Sequence, residues 1–456
     1  MQLNELGTIY FLGIGGIGMS NLARYFHKRG VRIHGYDKTA TALTDELQRE
    51  GMSIHFEDQP DLIPLTTDLV ILTPAIPKEL KEYQWVLHKN WPVHKRSEVL
   101  GWITSQVFNI AVAGTHGKTT TSALLAHLLV DAELPVTAFL GGICTNYGLN
   151  YLDKGDQIMV EEADEYDRSF LQLSPDIASI GSLDADHLDI YGSLEAMQLT
   201  YLDFAKRIKP NGRLLLSDTI DIEMIELFKR ELIGVDVQCF GFQNEEIKAS
   251  IIGTQSGWMV FEYISKIYHI KDLSLRLPGQ HNVRNAMAAI SVALQLGLRE
   301  DQIRKGLLNF QGIQRRFQWR LETNAKVLID DYAHHPEELR SVIQACRDIY
   351  PGRRITGIFQ PHLYSRTRDF MSAFAYALEA LDQIILVEIY PAREEPIPGI
   401  TSERLFETIN HPLKWICRKE TLLELVSRLE LDVVMTLGAG DLDLMIEDLI
   451  KVIARN

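Results

Sequence analysis

Cysteine is scarce in this chain, which has four cysteines among 456 residues, with neighbouring ones at least 71 positions apart. Such spacing fits neither a disulfide framework nor a cysteine metal site. The apolar runs stop well short of the roughly 20 residues that cross a bilayer. The first residues lack the basic stretch before an apolar run that marks a signal peptide. We therefore expect free thiols, no membrane segment and a cytoplasmic location.

Positive charge is also in deficit. Lys and Arg number 46 against 61 Asp and Glu, which gives a formal net charge of −15. A net negative field repels nucleic acids and anionic lipid surfaces, so we exclude both as main partners. Small anionic substrates stay open, because a local pocket can oppose the sign of the whole molecule.

Strands that alternate with helical patterns predict βαβ units and a mostly parallel sheet. The length suggests about three domains. New units begin near Phe108 and after Gly312, so we expect an α/β fold divided at residues 1–107, 108–312 and 313–456. Between Gly234 and Leu277 short alternating runs predict a small antiparallel insert or edge.

The first glycine-rich loop contains Gly13, Gly15, Gly16 and Gly18 between a predicted strand and a predicted helix, and Asp37 ends the next strand. This pattern is typical of diphosphate binding at a helix N-terminus, with the acid accepting from a ribose hydroxyl. A dinucleotide and a UDP-sugar both fit it. A purely structural tight turn is the alternative.

A second loop follows a buried strand and consists of Gly114, Thr115, His116, Gly117, Lys118, Thr119 and Thr120. Backbone amides, a lysine for the terminal phosphates and a hydroxyl for Mg²⁺ indicate a nucleoside triphosphate site. The general motif has a glycine five residues before Gly117, where this chain has Val112. The alternative is a glycine turn with a solvated lysine.

Acidic residues emerge where two further strands end. Glu162 lies in a run of acids from Glu161 to Asp167, and His187 lies among aspartates after Ser182. Carboxylates at a strand end next to a phosphate loop suit Mg²⁺. A solvated acidic face and a structural histidine are the alternatives.

Taken together, the motifs resemble the Mur ligase family. The matching segments occur in order across nearly the whole chain: GIGGIGMS (13–20), GTHGKTTT (114–121), EADEYDRSFL (162–171), DADHLDIYG (184–192), GQHNVRNAMAAI (279–290), FQGIQRRFQ (310–318), DDYAHHPEEL (330–339), FQPHLYSRT (359–367), PIPGI (396–400) and TLGAGD (436–441).

The resemblance implies an N-terminal Rossmann-like domain for a UDP-sugar, a central P-loop ATPase and a C-terminal Rossmann-like domain for an amino acid. It implies that ATP phosphorylates the lactyl carboxylate of UDP-N-acetylmuramate and that L-alanine attacks the acyl phosphate, with Mg²⁺ as cofactor, in peptidoglycan precursor synthesis. A carboxylate is a poor electrophile until one of its oxygens leaves as phosphate.

The resemblance also implies roles for single residues. Lys118 matches the phosphate lysine, and Thr119, Glu162 and His187 match the metal ligands. The remaining residues divide into the adenine side (Asn282, Asn285), ATP phosphate and ribose (Arg316, Asp331) and the amino-acid end (Tyr332, His335, His362, Arg366). Without the family, surface ion pairs would explain the charged ones equally well.

Two departures keep alternatives open. Leu363 stands where the family often has arginine, so the role of binding the amino-acid carboxylate would fall to Arg366 or Arg368. Near the sugar site, Thr73-Pro-Ala-Ile76 replaces the family's usual Ser-Ser-Ala-Ile. A relative that joins a murein tripeptide to the same sugar nucleotide is therefore an alternative. More remote are an NAD-dependent oxidoreductase and an ATP-driven switch without ligation. The oligomeric state is not predicted.

Overall fold

The computed structural model describes residues 6–185, 188–255, 257–392 and 394–455. Their strands form three sheets, each accompanied by helices, and most of the strand pairs are parallel. The expected α/β class with three domains is thereby confirmed. His187, one of the three predicted metal ligands, lies outside the described residues.

The first sheet has the order β3-β2-β1-β4-β5, and its neighbouring strands are parallel. Its strands are β1 (Thr8–Leu12), β2 (Arg32–Tyr36), β3 (Ser53–His55), β4 (Leu69–Leu72) and β5 (Val93–Lys95), and its helices are α1 (Ile17–Lys28), α2 (Ala42–Arg49), α3 (Lys81–His88) and α4 (Arg96–Thr104). The first glycine loop connects β1 to α1. The loop therefore lies at the carboxyl end of the central strand, where open parallel sheets bind ligands.

The second sheet has the order β15-β14-β13-β12-β11-β10-β6-β9-β7-β8. Its strands are β6 (Phe108–Ala113), β7 (Val136–Cys144), β8 (Leu149–Asp153), β9 (Ile158–Glu162), β10 (Ile177–Ile180), β11 (Arg213–Ser217), β12 (Asp236–Gly241), β13 (Ile247–Gln255), β14 (Trp258–Ser265) and β15 (His269–Leu275). Its helices are α5 (Lys118–Asp131), α6 (Leu188–Tyr191), α7 (Leu194–Ala205), α8 (Ile222–Glu231), α9 (Gln280–Gln295) and α10 (Glu300–Asn309).

This central sheet is mixed. Strands β7 and β8 are antiparallel, whereas β6 is parallel to both β9 and β10. Strands β13 to β15 lie at one edge, as the alternating runs after Gly234 predict, although β12 and β13 pair in parallel. The carboxyl ends of β6, β9 and β10 meet at one edge of the sheet, and that edge carries the second glycine loop.

The third sheet has the order β16-β17-β21-β18-β19-β20, in which β16 is antiparallel to β17 and the other strands are parallel. The strands are β16 (Gln318–Glu322), β17 (Val327–Asp331), β18 (Ile355–Phe359), β19 (Gln383–Val387), β20 (Lys414–Cys417) and β21 (Val433–Leu437), and the helices are α11 (Pro336–Ile349), α12 (Tyr364–Leu378), α13 (Ser402–Thr408), α14 (Lys419–Val426) and α15 (Ile446–Ile453). Every residue of β17, β18, β19 and β21 is buried, as expected for parallel strands covered on both faces.

The chain forms two compact units. The first comprises Met1–Ser250, Glu262–Leu273 and Arg284–Gln311, and the second comprises Ile251–Phe261, Ser274–Val283 and Gly312–Asn456. The domain boundaries expected at residues 107/108 and 312/313 stay predictions. No helix among the described residues is long and apolar enough to cross a membrane.

Within the first unit, buried polar contacts attach α1 to the central sheet. Asn21 donates from Nδ2 to the carbonyl of Leu140 on β7 at 3.1 Å. Arg24, which is 3% exposed, donates to Oδ1 of Asn150 on β8 at 2.8 Å and pairs with Glu50 at 2.7 Å. Because an unpaired buried guanidinium is costly, these contacts fix α1, and with it the first glycine loop, against the second sheet.

Candidate active site

The second glycine loop runs from the end of β6 into α5 and requires glycine at two positions. Gly114 and Gly117 have φ angles of +125° and +79°, which side chains disfavour. A Cβ on Gly114 would lie 2.8 Å from the nitrogen of Gly181, and one on Gly117 would overlap the side chain of Asn285. Of the predicted nucleotide residues, Gly117 and Asn285 are therefore in close contact, whereas Gly114 packs against the backbone at Gly181.

The side chain of Lys118 folds over this loop. Its Nζ donates to the carbonyl of Gly114 at 2.7 Å and to Oε1 of Glu165 at 2.8 Å. Burial alone would lower the pKa of Lys118, but the charges of Glu165 and Glu162 outweigh it, and the pKa is raised. Lys118 is thus a charged, sequestered ammonium at the N-terminus of α5, as phosphoryl binding requires.

Glu162 is the last residue of β9 and lies beside the loop. Burial raises its pKa, opposed by the charge of Lys118 and by the hydroxyl of Thr119. In the described part of the chain its Oε2 is buried without a hydrogen-bond partner. Gly141 on β7 provides the space, because a Cβ there would overlap this carboxylate.

The residues present fit Mg²⁺. The Thr119 hydroxyl and the unsatisfied Glu162 carboxylate are the hard oxygen donors that this ion prefers, with several waters completing its shell. Among the described residues no group of three or more His, Cys, Asp or Glu side chains is arranged to hold a metal ion. A two-residue protein contribution is in keeping with Mg²⁺ in nucleotide sites.

The rest of the predicted loop is held by hydrogen bonds to the segment after β10. Thr115 Oγ1 lies 2.8 Å from Ser182 Oγ and accepts from the nitrogen of Asp184 at 3.1 Å. His116 Nε2 lies 3.8 Å from Oδ2 of Asp184, and Thr120 is buried in the first turn of α5. A narrow pocket of about 10 Å³ opens beside these residues, lined by Val112, Ala113, His116, Gly117, Thr121, Ser179, Gly181, Phe240, Arg284, Asn285 and Ala288.

The first glycine loop is closed by Asp37. The carboxylate of Asp37 accepts the N–H of Gly15 at 2.8 Å, and the N–H of Gly13 donates to the carbonyl of Tyr36, also at 2.8 Å. Gly16 is the N-cap of α1, so no side chain at that position caps the helix. Asp37 therefore shapes the loop itself, in addition to the ribose contact that its position predicts.

Sequence reasoning missed two charged residues beside the loops. Arg96 lies against the first turn of α1, since a Cβ on Gly18 would lie 2.8 Å from its Nη1. Its Nη2 pairs with Oδ2 of Asp164 at 3.1 Å. Glu165, which pairs with Lys118, lies in the predicted acidic run, but the sequence indicated no specific role for this residue. Arg96 belongs to no motif, so only the structure places it here.

In the second unit, two consecutive arginines have different surroundings. Arg315 donates to the carbonyls of Gly438 at 2.6 Å and Gly440 at 3.1 Å, which fixes the loop after β21. Arg316, the predicted phosphate ligand, lies 3.8 Å from Glu338 and over the ring of Tyr332. Arg315 thus has a structural role that the motif did not reveal.

Asp331 is buried at the end of β17. It accepts the backbone N–H of Phe317 at 2.6 Å and that of Ala333 at 2.7 Å. Burial raises its pKa to about 6, although Arg316 and these donors favour the charged form. The predicted ATP residues Arg316 and Asp331 are therefore close enough to interact electrostatically.

The predicted amino-acid residues lie partly around a pair of histidines. The rings of His334 and His362 are 6.1 Å apart, and that of Tyr332 is 5.2 Å from His334. Burial, His334 and the cation of Arg366 lower the pKa of His362 to about 4, so its ring is neutral at pH 7. A cation beside neutral rings is suited to bind a carboxylate.

Two other predicted residues serve the local backbone. The Nδ1 of His335 accepts from the nitrogen of Glu337 at 3.4 Å as the N-cap of α11, with Pro336 following. Asn282 donates from Nδ2 to the carbonyl of Pro278 at 2.7 Å at the beginning of α9. These contacts leave their ligand roles untested.

Leu363, the departure noted at the amino-acid end, has an unusual backbone. Its φ is +71°, a value that costs a residue with a side chain about 1–3 kcal/mol. Its N–H donates to the carbonyl of Tyr390 at 2.9 Å, and its carbonyl accepts from Oγ1 of Thr367 at 2.8 Å. The strained residue directly follows His362, so these contacts also determine where that ring lies.

The fold and the two loops define a multidomain α/β enzyme that binds phosphorylated ligands and contains a P-loop with a sequestered lysine and an adjoining carboxylate. Three family models match the chain: "Mur ligase family, catalytic domain" at residues 8–107, "Mur ligase middle domain" at 112–293 and "Mur ligase, glutamate ligase domain" at 315–440. The chain belongs to the Mur ligase family.

Relatives match along the full length. The UDP-N-acetylmuramate–L-alanine ligase of Flavobacterium johnsoniae is 44% identical, with 100% of both chains covered, and that of Flavobacterium psychrophilum is 43% identical, with 99% of both covered. The solved UDP-N-acetylmuramate-alanine ligase of Thermotoga maritima has a TM-score of 0.82 at 27% identity, covering 97% of this chain and 98% of that one. The murein peptide ligase of Psychrobacter arcticus has a TM-score of 0.71 at 20% identity over 99% of both chains, which shows the fold alone.

Proposed function

We propose that this chain is an ATP-dependent ligase that joins L-alanine to the lactyl carboxylate of UDP-N-acetylmuramate through an acyl phosphate, in peptidoglycan precursor synthesis. The observation that carries the proposal is the full-length match to relatives of that name, together with the Lys118 site. Because its substrate ATP is abundant in the cytoplasm, we place the protein there.

The second glycine loop would hold the triphosphate of ATP. Its backbone amides and the ammonium of Lys118 neutralise the charge of the phosphates. Lys118 stays paired with the negatively charged phosphoryl group while that group is transferred to the lactyl carboxylate. Glu162, Thr119 and, by resemblance, His187 would hold Mg²⁺, which supplies further charge neutralisation when bound. Lys118 must exchange Glu165 for a phosphate oxygen in this step, since the carboxylate now occupies it.

The first glycine loop would hold the diphosphate of the UDP-sugar through the amides of Gly13, Gly15, Gly16 and Gly18, with Asp37 near the ribose. We assign Arg316 and Asp331 of the second unit to ATP, and Asn282 and Asn285 to the adenine side.

The cluster around His362 would hold the amino acid. Arg366 is charged and lies beside His334 and His362, which are both neutral because burial lowers their pKa values. The guanidinium can pair with the carboxylate of L-alanine, while the neutral rings do not repel its amino group. Tyr332 and His335 complete this proposed end of the site.

A product assay tests the proposal directly. The protein is incubated with ATP, Mg²⁺ and UDP-N-acetylmuramate and with L-alanine, glycine, L-serine or the murein tripeptide in parallel, and products are identified by mass. We expect phosphate release that requires both the sugar nucleotide and an amino acid, with L-alanine as the fastest acceptor. Ligation of the tripeptide alone would establish the recycling reaction instead, and phosphate release without either substrate would establish a switch.

A further inference from the structure

Arg96, the first residue of α4, lies between the two glycine loops of the first unit. Its guanidinium contacts the first turn of α1 at Gly18, where a Cβ would be 2.8 Å from Nη1 and 3.1 Å from Cζ. The same group pairs through Nη2 with Asp164 at 3.1 Å. The Arg96 side chain is only 20% exposed, so both contacts are made from a confined position.

The partner of Arg96 belongs to the segment that serves the second loop. Asp164 lies two residues after Glu162 and directly before Glu165, which pairs with Lys118 at 2.8 Å. One short acidic segment thus binds a cation at each glycine loop, Lys118 through Glu165 and Arg96 through Asp164. A change in the ion pair of either cation therefore alters the charge balance of the acidic segment that serves the other loop.

The position of Arg96 is fixed by packing. Helix α4 (Arg96–Thr104) contacts the 3-10 turn Tyr166–Gln172 that follows the acidic segment, and a Cβ on Gly101 would lie 2.5 Å from the carbonyl oxygen of Gln172. Because helix and turn touch at the backbone, the guanidinium can exchange partners without a movement of α4. A side-chain rotation is sufficient.

We propose that Arg96 is a positioning residue that couples ligand binding at the two loops. A diphosphate bound at the first loop pairs with the guanidinium of Arg96, which releases Asp164 beside Glu162. The released carboxylate strengthens the binding of the magnesium–nucleotide complex at the second loop. Arginine has five donors, and the Asp164 pair uses one, so Nη1 at Gly18 is available to a phosphate oxygen. The released carboxylate adds negative charge where a divalent cation binds. The inference rests on the proposed function, since it takes the UDP-sugar as the diphosphate ligand.

The test is the dissociation constant of UDP-N-acetylmuramate, measured by titration calorimetry with and without saturating Mg²⁺ and a non-hydrolysable ATP analogue. We expect the nucleotide complex to lower the dissociation constant of the sugar nucleotide about fivefold or more. Because coupling is reciprocal, the sugar nucleotide should lower the dissociation constant of the nucleotide complex by the same factor. Arg96→Gln should weaken the sugar nucleotide about tenfold and reduce the coupling factor to one. Asp164→Asn should leave the affinity without nucleotide within about threefold and also reduce the factor to one.

A neighbouring ion pair provides the control. Lys95, one residue before Arg96, pairs at 2.8 Å with Asp167, three residues after Asp164, and the lysine is 51% exposed where Arg96 is 20% exposed. Lys95→Gln and Asp167→Asn should keep the wild-type coupling factor. A wild-type factor of one, or a factor unchanged in both Arg96→Gln and Asp164→Asn, overturns the inference while product formation upholds the function. Failure of the wild type to bind the sugar nucleotide or to form product overturns both.

Discussion

The two glycine loops of this chain solve the same problem by different means. The second loop contains its own cation, Lys118, and the acids that raise the pKa of this lysine are Glu162 at the end of β9 and Glu165 three residues later. The first loop has no cation in its own sequence. Its shape comes from Asp37 after β2, and the guanidinium at the first turn of its helix belongs to Arg96, 78 positions further along the chain than Gly18.

The difference shows where a motif contains its chemistry and where it does not. At the second loop the cation belongs to the loop itself, so single substitutions there should have large and separable effects. At the first loop the glycines mainly allow the backbone and Arg96 to approach a ligand, so effects should be smaller and should depend on distant partners.

Lys118→Ala should reduce kcat by about 10³-fold or more, because the transferring phosphoryl group loses its buried ammonium. Phosphate release dependent on UDP-N-acetylmuramate and L-alanine measures it. Lys154→Ala, at an exposed lysine after β8, is the matched control and should keep wild-type turnover. Retention of more than a tenth of the activity by Lys118→Ala would remove the lysine from the reaction.

Gly117→Ala should weaken ADP binding about 100-fold, or roughly 2.8 kcal/mol, because the added Cβ both overlaps Asn285 and strains a φ of +79°. Titration calorimetry measures the affinity. Gly148→Ala separates the two causes, since Gly148 has a φ of +66° and no atom within 4 Å of its added Cβ. Equal losses in both variants would mean that global strain, rather than the contact with Asn285, governs the loop.

The fold follows closely from the sequence because strand and helix periodicity alternates so regularly. The apolar run Lys326–Asp330 predicts a strand that is observed as β17 (Val327–Asp331), and the run Gln383–Val387 predicts one that is observed at the same residues as β19. Buried runs such as these must pair on both sides, so their positions in a parallel sheet are strongly restricted. The antiparallel pairing of β7 with β8 was less accessible, since neither strand shows clean alternation.

The candidate site was predictable only where its residues belong to a motif. Lys118, Glu162 and Asn285 come together as the motifs imply. Arg96 escaped because an arginine at the beginning of an ordinary helix has no signature, and its importance arises from packing against Gly18. The structural role of Arg315 also escaped prediction, because the sequence of two consecutive arginines does not indicate which guanidinium fixes the loop after β21.

Asp37→Ala should raise KM for UDP-N-acetylmuramate about tenfold with kcat within about twofold, because the N–H of Gly15 loses its acceptor, at a cost of about 1–3 kcal/mol. Asp37→Asn keeps an acceptor oxygen and should have a smaller effect. Steady-state kinetics with each substrate varied in turn provides the measurement. An equal rise in KM for ATP would contradict a role confined to the first loop.

Gly18→Ala should have the smallest effect, a rise of about threefold in KM for UDP-N-acetylmuramate, because the new methyl group meets the mobile end of Arg96 rather than backbone. If the effect is transmitted by Arg96, it must vanish in an Arg96→Gln background. A double-mutant cycle on the dissociation constant therefore decides between two accounts of this glycine. Additive losses would mean that Gly18 is needed for direct approach of the ligand to the backbone. The first loop would then bind its ligand through its own residues, as the second loop does.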